Sequence, residues 1–192
     1  MRDKIKDILL ENIRIKEEIL RTGISKIKEI VDLVIDCLRK GGKIILFGNG
    51  GSASDAQHIA AEFIGRFKKD RTALAAIALT TNTSVLTSLA NDYGYDVVFA
   101  KQIEALGQKN DIAIGISTSG KAKNVIAGLR QAKKNGLKTI AITGGDGGEI
   151  AKLADAALIV PSYITARIQE AHITIAHIIC ELAEEALCLE IK

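Results

Sequence analysis

The stretch KIILFGNGGS, residues 43–52, decides the fold. An apolar run from Lys43 to Phe47 opens without a break onto Gly48-Asn49-Gly50-Gly51-Ser52, and helical spacing follows from Asp55 to Phe67. A strand, a glycine loop and a helix in that order gather backbone N–H groups and a helix N-terminus at the carboxyl edge of a sheet. The alternation then repeats. Apolar runs at Leu74 to Leu79, Ile112 to Ile116, Lys138 to Ile142 and Ala156 to Val160 predict four more strands. Between them lie helical stretches at Thr83 to Asn91, Val98 to Leu106, Ala122 to Asn135 and Glu149 to Ala154. Apolar strands separated by helices require a parallel sheet covered on both faces. The expected fold is α/β, a three-layer αβα sandwich around a five-stranded parallel sheet.

Upstream of this core, Lys4 to Leu20 and Ile24 to Leu38 have helical spacing, and Gly41-Gly42 ends the second helix. Residues 1–192 therefore read as one domain, with 1–40 a helical extension. The last segment, Arg167 to Leu189, predicts a long helix whose apolar residues spread over more than one face, enough to engage a partner subunit as well as the sheet.

With 192 residues and 47% hydrophobic content, the chain can bury a core without disulfides or a structural metal. Its 26 basic and 23 acidic residues are interspersed, so nucleic acid is not an expected partner. Cys37, Cys180 and Cys188 form neither a CxxC pair nor an even set, which fits a reduced, cytoplasmic setting. Charges interrupt Met1 to Leu20 too often for a signal peptide, and no apolar run is long enough to span a membrane.

Two loops carry the chemistry. Gly48 to Ala53 satisfies the dinucleotide pattern GxGxxA, but the second strand ends in Leu79-Thr80-Thr81-Asn82, without the acid that would hold a ribose. The loop is then free to take an anion or a polyol. The third strand ends in Ser117-Thr118-Ser119-Gly120 directly before a helix, three hydroxyls where the helix dipole favours negative charge. A phosphate monoester suits that cradle, and without a Walker A lysine pattern a nucleotide triphosphate is not the expected ligand.

His58 and Glu62 stand four apart on one helical face, and the last helix carries Gln169, Glu170, His172 and His177. Any one of these histidines alone is ordinarily a structural residue. Together, His58, Glu62, Gln169 and His177 make a mixed oxygen and nitrogen set suited to zinc.

These pieces, with Asn91-Asp92, Asp146-Gly147-Gly148 and Arg167-Ile168-Gln169-Glu170, resemble the SIS (sugar isomerase) domain family over nearly the whole chain, and within it the phosphoheptose isomerases. The resemblance implies an aldose-ketose isomerase. It would interconvert sedoheptulose 7-phosphate and D-glycero-D-manno-heptose 7-phosphate as a homotetramer, for surface-polysaccharide heptose. It further implies Glu62 and His177 as the acid-base pair and zinc bound by His58, Glu62, Gln169 and His177. Sugar hydroxyls would fall to Asn49, Gly50, Gly51, Ser52, Glu62, Asn91, Asp92 and Gln169, and the phosphate to Ser117, Thr118 and Ser119. The chain departs from the family at Ala122, where several members have serine, and at Ala166, where some have aspartate.

A related SIS protein that binds a replication initiator lacks the catalytic pair, whereas this chain keeps Glu62 and His177. Isomerisation through an enediol needs a base at the carbon proton and an acid at the carbonyl oxygen, which these two can supply. Coordination to a metal would weaken Glu62 as a base, so the metal's part in the chemistry stays open. Gln169 and His177 are eight residues apart, about 12 Å along a helix. That spacing leads to the expectation that His177 meets Glu62 of a neighbouring subunit, with active sites at subunit interfaces.

Overall fold

The computed structural model describes residues 1–188. Helices α1 (Arg2–Thr22) and α2 (Ile24–Arg39) lead into β1 (Ile44–Gly48), α3 (Gly51–Ile64), β2 (Ala76–Ala78) and α4 (Thr83–Tyr93). A 3₁₀ turn (Tyr95–Val97) precedes α5 (Val98–Leu106), β3 (Ile112–Ser117), α6 (Lys123–Lys134), β4 (Lys138–Gly144), α7 (Gly148–Leu153), β5 (Ala156–Val160) and α8 (Thr165–Cys188).

The sheet order is β2-β1-β3-β4-β5 with every pairing parallel. Because side chains alternate along a strand, β1 sends Ile44 and Leu46 into one core and Ile45 and Phe47 into the other. Ile44 and Leu46 meet α2, α3 and α8, while Ile45 and Phe47 meet α5 and α6, giving the expected three layers. Alternation with period two is thus present but hidden, since both faces are apolar.

The chain leaves β1 toward the β2 edge and returns to β3 on the other side of β1. That reversal opens a crevice at the carboxyl ends of the strands. Both loops singled out above flank it, residues 48–52 after β1 and 117–120 after β3.

Boundaries differ from expectation where loop chemistry overrides apolar spacing. Strand β2 is three residues long, Ala76–Ala78, and lies at the sheet edge paired with β1 alone. Helix α3 starts at Gly51 rather than Asp55, since Gly50 takes φ 55°, a left-handed turn that glycine alone adopts cheaply. It ends at Ile64 rather than Phe67, where the Arg71 guanidinium takes its last carbonyls. The predicted end of the last helix, Leu189, lies outside the described residues. Helix α1 buries Ile15 but leaves Ile5, Leu9 and Ile13 at least half exposed.

Candidate active site

In the glycine loop, Asn49 and Asn124 exchange amide hydrogen bonds of 2.8 and 2.9 Å, and the Tyr95 hydroxyl donates to Asn49 Oδ1 at 3.3 Å. The Asn49 side chain therefore ties β1 to the start of α6 across the crevice, leaving one amide hydrogen for a ligand. Gly50 and Gly51 are exposed and Ser52 is buried. Asn91 and Asp92 lie exposed at the end of α4, where Asn91 Nδ2 donates to Asp92 Oδ1 at 2.8 Å. It is Tyr95, three residues beyond Asp92, that reaches the loop.

The hydroxyl loop grades from buried Ser117 through half-buried Thr118 to exposed Ser119, whose Oγ accepts from the Lys121 N–H at 3.3 Å. Gly120 has φ 66°, and a Cβ there would sit 2.2 Å from the Gly147 carbonyl oxygen. Its own carbonyl accepts N–H groups from Glu149 at 2.9 Å and Ile150 at 3.2 Å. The Asp146-Gly147-Gly148 motif is thereby explained: it clasps the hydroxyl loop, and only two glycines can come this close. A cleft of about 160 Å³ opens here, lined by Thr118, Ser119, Lys121, Gly145, Tyr163 and Thr165. Ala122 is the N-cap of α6 and offers no side-chain cap. Lys121 lies 3.8 Å from Asp146 and Lys123 3.9 Å from Asp96, both on the surface.

Farther along α3 from the glycine loop, His58 Nε2 lies 3.0 Å from Glu62 Oε1 and 3.2 Å from His177 Nε2. The ligand atoms of all three residues fall within 4.8 Å of one another. A ring nitrogen carries either a hydrogen or a lone pair, so with protons alone a single His58 Nε2 hydrogen would have to be shared between Glu62 and His177. A divalent cation facing all three lone pairs would satisfy every contact, so these residues fit zinc by their donor chemistry. One turn earlier, burial raises the Asp55 carboxyl above its ordinary range while His58 pulls it back, and Asp55 Oδ2 has no partner among the described residues.

The expectation that His177 meets a neighbouring subunit's Glu62 is corrected by this geometry. One chain brings His58, Glu62 and His177 together, because α8 lies alongside α3. The Gln169 amide lies against Gly51, where an added Cβ would sit 2.4 Å from Nε2, so Gln169 and His177 engage α3 at separate turns. The other polar residues of α8 serve different ends. His172 is buried and bonds the Thr143 carbonyl at 3.0 Å, and burial pushes its pKa down to about 4. Glu170 pairs with Arg167 and receives Asn12 from α1, and the Arg167 hydrogen bond holds its carboxyl below the usual range.

Sequence reasoning missed Asn124, Tyr95, Arg71 and Glu184. Glu184 left one usable signal, its seven-residue spacing from His177, which puts both on one face of α8. The partners of the other three are set by packing between distant elements.

Comparison with known proteins agrees with this geometry. Residues 10–144 match the SIS domain family model. Phosphoheptose isomerase of Thermodesulfovibrio yellowstonii is 54% identical over 185 residues, covering 96% of this chain and 92% of the relative. The Aquifex aeolicus phosphoheptose isomerase is 52% identical and covers 98% of both chains. The solved phosphoheptose isomerase from Neisseria gonorrhoeae superposes with a TM-score of 0.91 at 44% identity, over 96% of this chain and 98% of that one. With the crevice, the hydroxyl loop and the His58, Glu62 and His177 cluster in place on that shared fold, the chain belongs to the SIS-domain phosphoheptose isomerases, a family of aldose-ketose isomerases.

Proposed function

We propose that this chain interconverts sedoheptulose 7-phosphate and D-glycero-D-manno-heptose 7-phosphate through an enediol. The observation that carries the reading is the convergence of His58, Glu62 and His177 along α3, the helix that leads away from a crevice flanked by a polyol-compatible glycine loop and a hydroxyl loop. The phosphate would rest on Ser117, Thr118 and Ser119, with Lys121 at the rim of the same cleft. The sugar chain would extend toward Gly50, Gly51, Ser52, Asn91 and Asp92, with Asn49 contributing its remaining amide hydrogen.

Glu62 takes the proton from the carbon beside the carbonyl, and His177 passes a proton to and from the oxygens of the enediol. His58 holds one Glu62 oxygen, leaving the second for the substrate. His58, Glu62 and His177 would hold zinc, with Gln169 lying apart at Gly51, and the ion would supply Lewis-acid polarisation of a carbonyl when bound.

The half-exposed Ile5, Leu9 and Ile13 of α1 and the exposed Ile178 and Leu182 of α8 support a homotetramer, since a lone subunit would leave them in water. The free thiols Cys37, Cys180 and Cys188 support a cytoplasmic location. Among the described residues, no helix is long and apolar enough to cross a membrane.

Incubation of the purified protein with sedoheptulose 7-phosphate, followed by separation of the two heptose phosphates, tests the reaction. Conversion is expected, with loss of rate on chelation and recovery with zinc. A folded protein that produces no aldose phosphate overturns the reaction; full rate after chelation overturns the zinc assignment alone.

A further inference from the structure

The most deeply buried ion pair of the described residues lies outside the cluster just described. The side chains of Arg71 and Glu184 are 3% and 1% exposed and meet at 2.9 Å. Glu184 also accepts the backbone N–H groups of Phe67 at 2.9 Å, Lys68 at 2.7 Å and Lys69 at 3.0 Å. Burial pushes its carboxyl up, but these N–H groups and the Arg71 charge outweigh that and hold the pKa below its ordinary value. The guanidinium donates to the carbonyls of Glu62 and Phe63, both at 2.9 Å, and to Gly65 and Thr72 at 3.1 Å. It closes the C-terminal end of α3, whose last carbonyls have no partner within the helix.

Both ends of this network touch the reacting groups. Arg71 holds the backbone of Glu62 itself. Glu184 holds Phe67, whose ring packs on the His177 imidazole at 5.5 Å between centroids. On α8, Glu184 follows His177 by two turns, about 20° round the helix and roughly 10 Å along it. Helix α8 therefore contacts the α3 segment three times in the same chain order, Gln169 at Gly51, His177 at His58 and Glu184 at Phe67 to Lys69.

We propose that the buried Arg71–Glu184 pair is a positioning element of the isomerase site, setting the register between the Glu62 end of α3 and the His177 turn of α8. The proposal rests on the assignment of Glu62 and His177 as the acid-base pair. Neither Arg71 nor Glu184 touches substrate; each acts through Glu62, Phe67 and His177. Proton transfer tolerates little misplacement, and a shift near 1 Å can cost about 10²-fold in rate.

Arg71→Lys tests the idea, because a lysine keeps the charge opposite Glu184 but cannot donate to four carbonyls from a planar fork. The chain has three histidines, so the His58 and His177 ring signals can be followed by NMR with buried His172 as an internal control. In the folded variant the His58 and His177 signals should move while those of His172 stay. The kcat for sedoheptulose 7-phosphate should drop about tenfold or more with KM nearly unchanged, since the hydroxyl loop sits on β3. If Arg71→Lys does not fold, the paired change Arg71→Met with Glu184→Gln removes both buried charges at similar volume and carries the same readouts. Unmoved His58 and His177 signals, or a kcat held within twofold of the parent, would overturn the proposal. A parent without heptose phosphate turnover sinks the assigned reaction, and the ring signals alone then decide the register.

Discussion

On α8, the turn that bears His172 faces the end of β4, and the turn that bears His177, about 140° round the helix, faces α3. The two residues are chemically identical and five positions apart. His172 is 2% exposed, donates to the Thr143 carbonyl and is pushed down to about 4 by burial, with that hydrogen bond opposing the shift. His177 is half-buried, packs against the rings of His58 and Phe67, and points a nitrogen at His58. What each does depends on which element its turn faces. A histidine against a strand end becomes a neutral bolt, and one against a helix bearing His58 and Glu62 joins a cluster able to hold a metal ion.

The strongest way to break this contrast is to disable one side only. Glu62→Gln, or His177→Gln opposite it, should lower kcat by roughly 10² to 10⁴ while leaving thermal stability near that of the parent. Steady-state kinetics beside a melting curve checks it. Turnover in Glu62→Gln equal to the parent's would strip the cluster of its assigned chemistry and leave His177 no more functional than His172.

The converse change, His172→Leu, should spare kcat and cost about 1–3 kcal/mol at neutral pH, because a buried carbonyl loses its donor. It should also change the response to acid. With His172 lowered from 6.5 to about 4 in the folded chain, the unfolded chain binds a proton that the folded one refuses. Stability therefore falls as pH drops from about 6.5 to about 4, and the loss flattens below that. Glu184, Glu170 and Asp155 are lowered instead, so their contributions are present above the ordinary carboxylate range and vanish only at lower pH. Urea denaturation at steps between pH 7 and pH 4 should show a slope in the parent that His172→Leu removes. Equal slopes in the two proteins would mean that His172 is accessible to protons and unlike the bolt described.

The smallest expected effect sharpens the contrast by leaving both histidines untouched. Ala122 has φ −68° and ψ 115°, an N-cap conformation without a capping side chain. Ala122→Ser should add about 0.5–1 kcal/mol by capping α6. If the hydroxyl turns into the cleft instead, sugar-phosphate binding tightens and stability stays level. Calorimetry with sedoheptulose 7-phosphate, beside a melting curve, separates the two outcomes; a serine that changes neither would leave Ala122 outside both roles.

Much of the fold was legible because its signals are local. Strand β5 and helix α5 matched their apolar runs end to end, since a parallel sheet covered on both faces needs unbroken hydrophobic segments. Helix α3 was misread by four residues at its start and three at its end, where a left-handed glycine and a distant arginine set the limits. Of the cluster, His58 and Glu62 were legible as an i, i+4 pair, and the two crevice loops announced themselves by composition. The Asn49–Asn124 lock was not, because nothing at Asn49 marks a partner on α6.

The residues alone determined the layer order, the parallel sheet, the two loops at its carboxyl edge and the short catalogue of groups able to move a proton or hold a metal. Tertiary structure decided which of them meet. His177 and His58 stand 119 positions apart, Phe67 and Glu184 117, and Asn49 and Asn124 75. Helical and strand periods repeat every few residues and say which way a side chain points from its own axis. They are silent about what lies opposite, which is set when two cores close on one sheet and bring α8 alongside α3.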